Sequence, residues 1–222
     1  MVINMLESEL VKRIESYILK HRIRYATEVR MGIGVPDISI NIGASRRIPL
    51  ITDYFLFSII EYIENEKKVT ISDISNKFSF DKNRTQSYLK QLFDEGVAIQ
   101  YEDFIAINRK IFGLNLGKTI SIEAKIKDWK SGILQAERYL MFSDYSYLAL
   151  PEDKIHNVDM AQLEKTGIGL LSVKDNNNLE EIVKPILSQE CDYKQKYLAT
   201  VSIISNSYNV SNRINDNIFH IL

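Results

Sequence analysis

Two stretches of strict two-residue alternation, far apart in the chain, constrain the fold more than any other feature. In the first, Ile38, Ile40 and Ile42 alternate with Asp37, Ser39 and Asn41. In the second, Ile120, Ile122, Ala124 and Ile126 alternate with Ser121, Glu123 and Lys125. A strand sends successive side chains to opposite faces. Each isoleucine row therefore faces a core, and each polar row lies on the opposite face. Helical periodicity surrounds these strands. Leu6, Leu10, Val11, Ile14, Tyr17 and Ile18 make one apolar stripe, and Trp129 to Phe142 forms a second helix. Ile23 to Met31 reads as a strand running into the turn Gly32-Ile33-Gly34, and Tyr145 to Ala149 as an apolar strand ended by Pro151. A helix over 158–166 and a strand over Gly167 to Val173 follow, then a turn at Asn176-Asn177-Asn178. The tail from about 180 reads as mainly helical and carries no motif. Helices alternating with strands predict an α/β fold: a central mixed sheet flanked by helices.

The character changes between the two strands. Residues 51–65 have a helical pattern (Tyr54, Leu56, Ile59, Ile60, Ile63), and a short helix runs from Val69 to Phe78. Asp81 is an N-cap for a further helix, Lys82 to Glu95, which Gly96 closes. Ala98 to Tyr101 and Phe104 to Asn108 form a hairpin around Glu102-Asp103. This stretch resembles a winged helix-turn-helix over 50–112. The resemblance implies that the helix carrying Lys82, Asn83, Arg84, Gln86, Ser87 and Lys90 meets DNA in the major groove, where such side chains reach base edges and phosphates. Charge points the other way, because residues 51–112 hold eight Lys and Arg against ten Asp and Glu. Affinity for DNA comes largely from neutralising phosphates, so a packing or dimerisation role stands beside DNA contact.

Composition excludes several classes. The formal charge of −1 rules out a strongly basic nucleic-acid coat protein, though not local basic patches. One cysteine, Cys191, allows no internal disulfide, and His21, His156 and His220 lack metal-ligand spacing, so a Cys/His zinc site is not expected. No apolar run reaches the ~18 residues of a membrane span. The opening MVINMLESELVKRIE lacks an apolar signal region, which points to the cytoplasm.

If the two alternating strands pair, Asp37, Glu123 and Lys125 share one patch. Carboxylate oxygens suit Mg²⁺ or Mn²⁺. The metal activates water and polarises a phosphoryl oxygen, and a lysine orients or helps deprotonate the water and offsets developing charge. Pro36-Asp37 followed by Glu123-Ala124-Lys125 resembles the PD-(D/E)XK nucleases, the restriction-endonuclease-like fold. "ISIEAKIKDWKSGILQAERYLMFSDYSYLALP" is similar to that superfamily's catalytic strand, the following helix with Gln135-Ala136, and the next buried strand. "LESELVKRI" resembles the first helix of archaeal Holliday-junction resolvases, whose glutamate joins the metal site. Glu7 matches it, and its i+4, i+7 and i+11 relation to Val11, Ile14 and Ile18 favours it over Glu9.

The resemblance implies that Asp37, Glu123 and the Ala124 carbonyl bind the metal, that Lys125 acts on the water, and that Gln135 supports the lysine or the phosphate. Glu7 and Glu28 would join the pocket, and Arg46 and Arg47 would meet a phosphate. The expected organisation is a discontinuous nuclease domain, 1–49 and 113–222, with the winged helix of 50–112 inserted. The expected activity is hydrolysis of DNA phosphodiester bonds. A non-catalytic DNA-binding or assembly protein on the same scaffold is the alternative, as is a subunit active only within a transposition or phage-defence complex. Cutting both strands needs two sites, so a homodimer or a partner protein fits this chemistry. Trp129 and Tyr139 are expected in the core.

Overall fold

A computed structural model describes residues 5–45, 48–111 and 115–207. The chain forms two compact units: Met1–Gly43 with Leu116–Leu222, and Ala44–Asn115.

The first unit is an α/β layer structure. Its helices are α1 (Glu7–Lys20), α5 (Trp129–Tyr139), α6 (Met160–Thr166) and α7 (Tyr193–Asn206). Its strands are β1 (Tyr25–Thr27), β2 (Ile38–Ile42), β5 (Lys118–Ala124), β6 (Tyr145–Pro151), β7 (Gly169–Val173) and β8 (Leu179–Val183). They form one six-stranded mixed sheet in the order β1-β2-β5-β6-β7-β8. β1, β2 and β5 pair antiparallel, β5, β6 and β7 run parallel, and β8 returns antiparallel. The parallel pairs need crossovers, and α5 and α6 supply them.

Alternation along the strands decides what each face buries. Leu10, Ile14 and Ile18 of α1 pack on Ile38, Ile40, Ile120, Ile122, Tyr147 and Ala149. On the opposite face Ile133 and Ala136 of α5 and Leu163 of α6 pack on Leu148, Leu150 and Leu170. Ala199 and Ile203 of α7 close a third cluster with Ala26, Tyr139 and Phe142.

The sequence predicts two segments differently. The strand expected over Ile23 to Met31 stops after Thr27, because Glu28 takes a left-handed φ of 49° that breaks the pleat. Met31 and Gly34 then bridge each other across a tight turn. The tail expected to be helical from about 180 opens instead with β8, paired to β7 across the Asn176–Asn178 turn. Leu179, Glu181 and Val183 are half-buried and Glu180 and Ile182 exposed, an edge-strand alternation too short to stand out. A 3₁₀ turn, Glu152–Asn157, also precedes α6, whose first residue follows the Asp159 cap. The tail beyond 207 lies outside the described residues.

The second unit holds α2 (Tyr54–Glu66), α3 (Ile71–Phe78), α4 (Lys82–Asp94) and the hairpin β3 (Ala98–Tyr101) and β4 (Phe104–Ile107). Each helix begins at a side chain that accepts backbone N–H groups: Asp53, Thr70 and Asp81. Ile59, Ile60, Ile63, Ile74, Leu89, Leu92 and Ile105 are buried.

Candidate functional site

The site lies where the start of β2 meets the end of β5. The antiparallel register pairs Ile38 with Ile122, so one step further sets Asp37 opposite Glu123. Asp37 Oδ2 accepts the Ala124 N–H at 2.7 Å, joining residues 87 positions apart. The strand spacing that puts Glu123 and Lys125 on one face also brings the Lys125 ammonium to 2.7 Å from Glu123 Oε1. Glu7, at the start of α1, is 3.8 Å from the same ammonium. Glu9 turns back to accept the Leu6 N–H at 3.0 Å. Four of the residues singled out in the sequence therefore converge.

Burial makes this cluster electrostatically tense. Glu123 is only 2 % exposed. Burial is the chief cause that pushes the Asp37 carboxyl up to about 6. Glu123 and Glu7 push it the same way, while the Ala124 N–H and Lys125 oppose them. Burial by itself would lower the Lys125 pKa. The bond to Glu123 and the fields of Glu123, Glu7 and Asp37 outweigh it, and the ammonium is held above its ordinary range.

Tyr139 belongs to this site, although the sequence places it in the core. Its ring is buried, and its hydroxyl lies 2.6 Å from Glu123 Oε2 and 3.1 Å from the Val35 carbonyl oxygen. A phenol has one proton to donate, and the shorter contact gives it to the Glu123 carboxylate, with the Val35 carbonyl beside it. Burial, then Glu123, raises its pKa, so it stays a donor. The only sequence signal is its place four residues after Gln135, on the same side of α5.

Beside Asp37 opens a cleft of ≈ 320 Å³ whose walls include Glu7, Lys12, Glu15, Thr27 and Glu28. The Glu28 N–H donates to the Asp37 carbonyl at 3.3 Å. Gln135 is half-buried, and its Oε1 is buried without a hydrogen-bond partner among the described residues. Ala124 is buried in β5. Arg46 and Arg47 lie outside the described residues.

Among the described residues no group of three or more His, Cys, Asp and Glu is arranged to hold a metal ion. One Glu123 oxygen is bonded to Lys125 and the other to Tyr139, while Asp37 Oδ2 faces the Ala124 N–H. The donor set nevertheless suits a hard divalent cation. Glu123 and Glu7 share a single ammonium with Asp37 close by, three carboxylates whose oxygens suit such an ion.

In the second unit, Lys82, Asn83, Arg84, Gln86, Ser87 and Lys90 are all exposed on α4. Lys90 is bonded to Asp94 at 2.9 Å, and the Arg84 guanidinium lies 4.5 Å over the Phe80 ring. No helix among the described residues is long and apolar enough to cross a membrane. Comparison with protein-family models, curated proteins and solved structures found no match to this chain.

Proposed function

We propose that this protein is a metal-dependent deoxyribonuclease of the PD-(D/E)XK kind, with a restriction-endonuclease-like core and an inserted winged helix. The observation that carries the reading is the meeting of Asp37 with Glu123-Ala124-Lys125 at one end of adjacent strands, beside Glu7 and an open cleft. The order of elements supports it too. A helix with Glu7 precedes the strand of Asp37, and the Glu123–Lys125 strand leads into a helix carrying Gln135 and then a buried parallel strand.

Asp37 and Glu123 would hold a Mg²⁺ or Mn²⁺ ion, with the Ala124 carbonyl and Glu7 beside them. The ion, when bound, supplies Lewis acidity toward a phosphodiester and an activated water. Lys125, whose ammonium the neighbouring carboxylates hold above its ordinary range in the metal-free protein, would orient the water or help deprotonate it and offset negative charge. Tyr139 would keep the Glu123 carboxylate in place through its hydrogen bond.

The purified protein, given Mg²⁺ or Mn²⁺, is expected to cleave at least one of linear, supercoiled, single-stranded and branched DNA. Asp37→Ala and Lys125→Ala abolish that cleavage. Cleavage that persists in both variants, or none on any substrate, would falsify the enzymatic reading for the isolated chain. The engagement of both Glu123 oxygens favours a second reading, a subunit closed on its own. That reading expects cleavage only after a partner protein is added.

A further inference from the structure

The second unit carries a run of aromatic rings in mutual contact, two of which are exposed. Tyr54, Phe55 and Tyr62 come from α2, Phe78 from the end of α3, Phe80 from the following turn, and Tyr88 from α4. Ring centroids step 6.2 Å from Tyr54 to Phe55, 6.1 Å to Phe80, 5.5 Å to Phe78 and 5.9 Å to Tyr62, and Tyr88 joins Phe80 at 5.3 Å. Tyr54 is 51 % and Phe55 46 % exposed, and the other four are half-buried. Two adjacent exposed rings backed by half-buried ones offer an aromatic surface to an outside partner.

Two cations lie on these rings. The Arg84 guanidinium is 4.5 Å from the Phe80 centroid and 5.7 Å from those of Phe55 and Tyr88. Lys77 lies 5.8 Å over Tyr62. Neither has an ion-pair partner among the described residues, and the Arg84 guanidinium donates to the Tyr88 hydroxyl at 3.4 Å, which holds it against the rings. The rings hold these two cations beside the exposed aromatic faces, where an outside anion can reach them.

We infer that this aromatic ladder binds single-stranded nucleic acid, with unpaired bases stacking on Tyr54 and Phe55 and phosphates meeting Arg84 and Lys77. Exposed π faces interleaved with cations suit bases whose own faces are open. A duplex hides those faces, and Arg84 is drawn back onto the rings instead of reaching outward as groove reading requires. A second copy of the chain is disfavoured, because a two-fold contact would bring the same unneutralised cations together. The inference stands independently of the hydrolytic reading.

Fluorescence anisotropy of labelled dT20 and rU20 with the full-length protein in EDTA reads binding with cleavage switched off. Phe55→Ala and Arg84→Gln should each weaken binding about tenfold. With two phosphates neutralised, affinity should fall only about sevenfold between 50 and 200 mM salt. Phe55→Trp should preserve binding, and its added indole should be quenched by the oligonucleotide. Tyr54→Ala replaces Phe55→Ala if that variant does not fold. Tighter binding of either labelled strand, or of both, than of a duplex supports the inference. It is overturned by absence of binding, by equal or tighter binding to a duplex of the same length, or by affinity unchanged in Phe55→Ala (or its replacement) and Arg84→Gln. A protein dimer lost in the alanine variant, with no oligonucleotide bound, overturns it in favour of a protein interface.

Discussion

Single side chains set the chemistry of the cluster, and two of them can be tested without any substrate. Tyr139 supplies a hydrogen bond to an oxygen of the buried Glu123. Tyr139→Phe keeps the ring and leaves that oxygen without its donor. Unpaired buried acceptors cost about 1–3 kcal/mol, so urea unfolding should show a loss of that size with the fold retained. Asp37 gives a pH signature. Its carboxyl is raised to about 6, above its value in an unfolded chain. The native state then binds the proton more tightly than the unfolded state, so the metal-free protein is favoured at low pH and loses stability as pH rises through that interval. The groups facing Asp37 are Glu123, Lys125 and Glu7. With the half-exposed carboxyl discounted for screening, the loss should be about 1–3 kcal/mol between pH 4 and 7 in EDTA. Denaturation curves of Asp37→Asn should lack that slope; an identical slope in the variant would assign it to another group.

Elements show which parts of this geometry were legible beforehand. The alternation at Ile38–Ile42 and Ile120–Ala124 is strong enough to identify β2 and β5, and the two-residue period places Glu123 beside Lys125 without any coordinates. The end of β1 was hidden, because nothing in the residue type of Glu28 announces a left-handed backbone. β8 was hidden for a different reason: at five residues, with two glutamates, its pattern is no stronger than that of a loop. Tyr139 was readable as buried but not as a partner of Glu123, since that contact depends on how α5 crosses the sheet.

The crossing itself depends on Gly132. A Cβ there would stand 2.6 Å from Leu148 Cδ1 and 2.9 Å from Lys125 Cγ, so α5 approaches β5 and β6 through the gap glycine leaves. Gly132→Ala should improve helix propensity by about 1 kcal/mol yet lower net stability, because overpacking costs about 1–3 kcal/mol. Thermal unfolding measures the sign. A more stable variant would mean that Leu148 and the Lys125 stem yield freely, and that α5 is not held at this distance by Gly132.

At the scale of the whole molecule, the second unit occupies the place of a hairpin turn. β2 and β5 are antiparallel neighbours whose last paired residues are Ile42 and Lys118. The flanking Gly43 and Gly117 have φ of 77° and 69°. Positive φ at both central residues is what a two-residue type I′ turn requires, and the twist of that turn matches the twist of paired strands. Joining Gly43 directly to Gly117 would therefore close the sheet with a Gly-Gly turn already set in the right region. The cost is the bond from Asn41 Nδ2 to the Leu116 carbonyl, 2.8 Å in the intact chain, and the burial of Leu116. Neither Asp37 nor Glu123 is touched. The shortened chain, lacking 44–116, is expected to unfold cooperatively, and Trp129, the single tryptophan, reports on the first unit alone. Its near-ultraviolet circular dichroism should match the intact protein's tryptophan signal. A chain without cooperative unfolding would show that the β2–β5 junction depends on the inserted residues, and that the two units are a single folding problem despite their separate cores.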